Sequence, residues 1–74
     1  MHFYEEQWVL FRSFEDEAAA RGMCLWLTNE QISARAERKD VFVLKSLSNR
    51  AEWIVAQLPP TREDLIGLLA GVPT

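Results

Sequence analysis

The stretch Asp40–Leu58, DVFVLKSLSNRAEWIVAQL, decides the fold. Its opening residues, Val41 to Leu44, read on their own as a short buried strand. Read as one helix, the whole stretch places Val43, Leu44, Leu47, Ala51, Ile54, Val55 and Leu58 on one face, at the i, i+3, i+4 spacing of an amphipathic helix. Asp40 is a helix-capping residue type, and Pro59-Pro60 ends a helix. The helix reading gives a mainly α domain. The strand reading gives a small α+β module with residues 41–44 as its central strand.

Composition favours the helix. Only 11 residues are Val, Ile or Thr, and no Asn-Gly or Asp-Gly hairpin signal is present. A turn at Glu37-Arg-Lys-Asp40 would lack the glycine that a tight hairpin prefers. Downstream, Thr61 and Asp64 form a capping box for a last helix carrying Leu65, Ile66, Leu68 and Leu69, which Gly71 stops. Gly67 weakens that helix by about 1 kcal/mol relative to alanine. Upstream, Thr28 and Gln31 fit a capping box for a short helix over about 28–37, with Leu25–Leu27 as a short extended stretch before it.

Residues 4–21 read as a first helix, with Tyr4, Leu10, Phe11, Phe14 and Ala18 in one apolar stripe and Gly22 as its C-terminal cap. A competing reading makes Trp8–Arg12 a strand, with Ser13 capping a shorter helix and Asp16 three residues on. The expected fold is mainly α: a single domain, residues 1–74, of four helices, with the α+β module as the alternative.

A short helix, a tight polar break and a longer helix make a helix-turn-helix-like centre. Residues 27–47, LTNEQISARAERKDVFVLKSL, resemble the helix-turn-helix of MarR-type winged-helix regulators. The resemblance implies that Ile32 is buried in the first helix and that Ser33 is the small residue packed between the helices. It implies that Val43 is buried in the second helix, with Leu47 one turn on. The chain departs from that pattern at Glu37, where a turn glycine is common, and at Phe42 and Leu44, where small polar base-reading residues are usual. No glycine-rich hairpin follows to form a wing.

The outer face of the expected second helix would carry Phe42, Ser46, Asn49 and Trp53, flanked by Lys45 and Arg50. On a DNA-binding reading Asn49 pairs with an adenine edge, Phe42 meets a thymine methyl, and Arg35, Arg38, Lys39, Lys45 and Arg50 hold phosphates. On the plainer reading Phe42 and Trp53 are covered by the first helix or a dimer mate, and the cations are solvated. Charge supports a local anion-facing surface. Residues 35–50 hold five basic residues against Glu37 and Asp40, whereas the chain as a whole has a net charge of −3.

Other features are weaker. Glu15-Asp-Glu17 would be an acidic partner patch or, more plainly, complement to a helix dipole. Tyr4, Trp8 and Phe11 would be an exposed docking stripe or the core face of the first helix. Cys24 reads as a buried small hydrophobe, and as the single cysteine it forms no internal disulfide.

Catalysis is not expected. His2 is the single histidine, and the chain holds no Ser/His/Asp set, no Cys/His pair, no phosphate-binding glycine loop and no metal-ligand spacing. No cofactor, metal or small-molecule substrate is expected, and the longest strongly apolar run, Met23–Leu27, is far short of a membrane span. The acidic residues from Glu5 do not fit a signal peptide, so a cytoplasmic location is the expectation.

Two functions follow. One is a small transcription regulator that binds DNA through residues 35–50, with dimerisation through the first or last helix supplying a second half-site. The other is a protein-binding inhibitor or adaptor. Its size, acidity and aromatic content resemble, in general character, small phage-encoded proteins that bind host machinery such as RNA polymerase. The overall negative charge favours the second, because DNA binders of this size are usually net basic. A strand at 41–44 would remove the helix-turn-helix and put the inhibitor reading first.

Overall fold

The computed structural model describes residues 7–71. In chain order these form a strand β1 (Trp8–Ser13), a helix α1 (Glu17–Asn29), strands β2 (Ala34–Glu37) and β3 (Asp40–Leu44), a 3-10 turn (Lys45–Leu47), and helices α2 (Ser48–Gln57) and α3 (Arg62–Leu69). The strands make one antiparallel sheet in the order β1-β3-β2. The fold is therefore α+β, and the four-helix, mainly α expectation is overturned.

The strand reading of residues 41–44 is the correct one. Val41 and Val43 alternate inward and are fully buried, while Phe42 and Leu44 take the opposite side. β3 has a partner on both edges: Val43 lies opposite Val9 of β1 and Ala34 of β2. The helical periodicity of 40–58 holds only from Leu47 onward. Ala51 is buried, with Leu47, Ile54 and Val55 packed against the core around it. Leu58, the last residue of that apparent face, is 70% exposed. Asp40 caps no helix; its carboxylate accepts the Ser13 hydroxyl at 2.7 Å.

The first helix is also shorter than expected. Residues 8–13 are extended, as in the competing reading, and Tyr4 lies outside the described residues. The ladder slips between Leu10 and Arg12, so Phe11 is the extra residue of a β-bulge and turns into the core. Asp16, not Ser13, caps α1 by accepting the Ala19 N–H at 2.8 Å.

The expected helix over 28–37 does not form, because α1 runs through Thr28 to Asn29 and then closes sharply. Gln31 adopts φ +64°, its N–H reaches the Thr28 carbonyl, and the Ile32 N–H reaches the Leu27 carbonyl, both at 2.9 Å. That bond pair is a Schellman motif, and buried Ile32 and Leu27 supply its apolar contact. The chain then enters β2. The turn between β2 and β3 lacks glycine, and Arg38 takes the left-handed conformation itself, at φ +59°. A hairpin thus stands where the MarR-type resemblance implies a turn and a recognition helix.

α3 matches its local signals. Thr61 and Asp64 form the capping box, and Gly71 follows the helix end at φ +66°. Gly22 is not a cap. It lies inside α1, where a Cβ would stand 2.2 Å from the Leu65 carbonyl oxygen of α3. Arg62 ties the same two helices by donating to the second carboxylate oxygen of Asp16.

The N–H of Ala19 first, and Arg62 second, hold the Asp16 carboxyl below its ordinary value. A carboxylate whose folded pKa is depressed stabilises above its unfolded value, about pH 4, and loses that contribution as pH falls through the folded value. Asp16→Asn keeps a capping oxygen but no titratable charge. Wild type is expected to be the more resistant to urea at pH 7, with the gap closing as the pH falls below about 4. A gap of constant size across that fall would show that the carboxylate charge contributes nothing.

Candidate functional site

Among the described residues the helices cover one face of the sheet, and none covers the other. Buried Val41 and Val43 point to the helical layer, with Ala34, Ala36 and Val9 opposite them. Residues directly opposite in an antiparallel ladder share a face. The outer face therefore gathers Trp8 opposite Leu44, and Leu10 and Arg35 on either side of Phe42. Trp8 is 40% exposed and Leu10 57%, while Phe42 and Leu44 are half-buried.

Arg35 confirms the grouping. Its guanidinium lies 5.6 Å from the centre of the Trp8 ring, so it reaches across the central strand from β2 to β1. It also meets the Glu37 carboxylate at 2.8 Å, in an exposed pair of small energetic weight. Arg38 and Lys39 form the turn at one end of β3, and Lys45 follows its other end, roughly 20 Å from Lys39 at strand rise.

Layering of charge accompanies this. Strands, turn and Lys45 hold Arg35, Arg38, Lys39 and Lys45 against Glu37 and Asp40, while Arg12 of β1 pairs with Glu52 of α2 at 3.0 Å. The helices and their caps hold six carboxylates (Asp16, Glu17, Glu30, Glu52, Glu63 and Asp64), with Glu15 just before the first cap, against Arg21, Arg50 and Arg62. One layer is basic with exposed aromatic surface, and the other is acidic.

The residues singled out from the sequence divide accordingly. Arg35 and Phe42 meet on the sheet face, with Arg38, Lys39 and Lys45 at its ends. Ser46 sits in the 3-10 turn. Asn49, Arg50 and Trp53 belong to α2, where Asn49 and Trp53 share the side opposite buried Ala51 and Trp53 is 63% exposed. The continuous stripe Phe42–Ser46–Asn49–Trp53 does not exist, because Phe42 is on a strand. Leu10 and Leu44 are additions to the residues singled out from the sequence; of the Tyr4–Trp8–Phe11 stripe, Trp8 is exposed on this face, Phe11 is in the core and Tyr4 lies outside the described residues. The competing strand reading of Trp8–Arg12 would have placed Trp8 and Leu10 on one face through the two-residue period of a strand.

Cys24 is half-buried, and burial pushes its thiol pKa up. That disfavours the thiolate a nucleophile needs. Among the described residues no three His, Cys, Asp or Glu side chains are placed to hold a metal ion, and no helix is long and apolar enough to cross a membrane. Comparison with protein-family models, curated proteins and solved structures finds no match, so the residues themselves carry the functional reading.

Proposed function

We propose that this chain is a non-catalytic protein-binding module, an adaptor or inhibitor, whose site is the open sheet face. The observation that carries this reading is the Trp8–Leu10–Phe42–Leu44 surface on the basic layer of an otherwise acidic protein. An apolar centre holding Trp and Arg, rimmed by cations, has the anatomy of a protein interface. Its charge selects an acidic surface on the partner and speeds the encounter. Leu10 and Leu44 favour a protein over nucleic acid, because aliphatic side chains offer a base neither stacking nor hydrogen bonds.

The test is capture of partners with the wild-type chain, followed by binding measurements on the purified partner. Trp8→Ala is expected to weaken that complex at least about thirtyfold, the scale of a hot-spot tryptophan. Trp53→Ala, on α2, leaves it unchanged. Equal affinity for wild type and Trp8→Ala would remove the sheet face from the interface.

A second reading keeps DNA as the partner. Trp8 and Phe42 lie on one sheet face with cations at both ends of β3, an arrangement that suits stacked bases of a single strand. NMR titration with single-stranded and duplex DNA at low and moderate salt separates the readings. Shifts at Trp8, Arg35 and Phe42 that fade steeply with salt favour DNA. No response favours the protein partner.

A further inference from the structure

The sheet ends too early for the helix that covers it. α1 presents Arg21, Cys24, Leu25 and Thr28 along one side, and with Ala34 and Ala36 of β2 and Leu69 of α3 they line a groove of about 370 Å³. Leu25 is 41% exposed there. The groove runs beside β2, which is an edge strand.

The backbone of that edge is open. β3 bonds to β1 through the parity of Val41 and Val43: the neighbouring Lys45 N–H reaches the Gln7 carbonyl, and the Phe14 N–H reaches the Lys39 carbonyl. Asp40 and Phe42 therefore bond to Glu37 and Arg35. Ala34 and Ala36 turn their N–H and C=O groups outward, and no turn or loop bond among the described residues takes them up. Edge strands are usually blunted by a bulge, a proline or a charge. β1 has its bulge at Phe11, whereas β2 is short but regular, and its charges, Arg35 and Glu37, lie on the outer face paired with each other, leaving Ala34 and Ala36 on the side of the groove.

We infer that the β2 edge and the α1 groove together accept an extended acidic segment of a partner protein as a fourth strand. The inference rests on the protein-binding reading and adds a second contact to it, joined to the sheet face through Arg35. Four main-chain hydrogen bonds to Ala34 and Ala36 hold the segment. Alternate side chains of the added strand lie over Cys24 and Leu25, which suits small apolar residues. The charge on the α1 side of the groove is Arg21, while Arg35 of β2 keeps its guanidinium over Trp8 on the outer face; Arg21 selects a carboxylate between the apolar residues. A second copy of this chain fits less well, because it brings the same positive lining to the seam.

The experiment selects a displayed library of random decapeptides on the immobilised protein, then titrates the enriched synthetic peptides into labelled protein by NMR. Enriched peptides are expected to alternate carboxylates with small apolar residues. Their binding slows amide exchange at Ala34 and Ala36 and shifts Arg21 to Thr28. Ala36→Pro removes an edge N–H outside the ladder and abolishes binding. Arg21→Glu, on an exposed helix position, lowers affinity at least about tenfold while leaving the fold intact by circular dichroism. Trp8→Ala leaves peptide binding in place, so loss of the sheet-face reading is distinguishable from loss of this one. No enrichment, peptides without carboxylates, equal binding to Arg21→Glu, or shifts confined to Trp8, Leu10 and Phe42 would overturn the inference. Concentration-dependent dimerisation that protects the same amides would assign the edge to a second copy and overturn it too.

Discussion

A Val43→Asp variant is expected not to fold at room temperature, whereas Leu44→Asp, one residue on, folds. Val43 has no exposed surface and lies in the core with Val41, Leu27 and Met23. An unpaired carboxylate there costs several kcal/mol, or must hold a proton to stay buried. Native domains are stable by roughly 5–15 kcal/mol, and a chain of 74 residues belongs at the low end. Leu44 points to the outer face beside Trp8 and keeps access to water. Its aspartate is expected to cost about 1 kcal/mol, as lost cross-strand packing. Circular dichroism and urea melts of the two variants read the difference. Were 40–58 one helix, Val43 and Leu44 would share its buried face, and both variants would fail together.

Gly22→Ala is expected to lose about 2 kcal/mol, although alanine is the better helix former by about 1 kcal/mol. The added methyl would meet the Leu65 carbonyl oxygen at 2.2 Å and the Leu65 Cβ at 2.7 Å. A backbone oxygen cannot swing away as a side-chain tip can, so α3 must move as a whole. Leu65 is a core residue, and Arg62 on the same helix holds Asp16, so that movement loosens two contacts at once. A fall of about 10 °C in melting temperature is the expected readout for a domain of this size. Gly22→Ala melting at or above the wild-type temperature would show that α3 is not seated against α1 at this point.

These two positions show where the sequence was readable. Thr61, Asp64 and Gly71 act within a few residues of their partners, so the capping box and the helix stop are visible in the string itself. Gly22 carries the same residue type as Gly71 but a different role, and only the approach of Leu65 from 43 positions away distinguishes them. Gln31 and Arg38 hide turns because they hold positive φ without being glycine. Tertiary packing fixes those angles, and composition gives no sign of them.

The site divides in the same way. Arg35, Phe42 and Lys45 stand out in the sequence as a basic segment with an aromatic residue. Trp8 and Leu10 join them only through the β1-β3 register, which pairs Leu10 with Phe42 and Trp8 with Leu44. Trp53 has the same aromatic character but sits on α2, away from the strand that carries Phe42.

By itself, then, the sequence determined the capping box and stop of α3, the apolar face of residues 51–55, the burial of Val43 and the placing of positive charge in residues 35–50. Each depends on neighbours within one or two turns. Whether residues 40–44 become helix or strand was left to the tertiary structure, because Val43 and Leu47 satisfy both periodicities. β1 and β2 complete the hydrogen bonds of that segment on both edges, α1 covers its valines, and those long-range partners outweigh a helical preference that is weak over five residues.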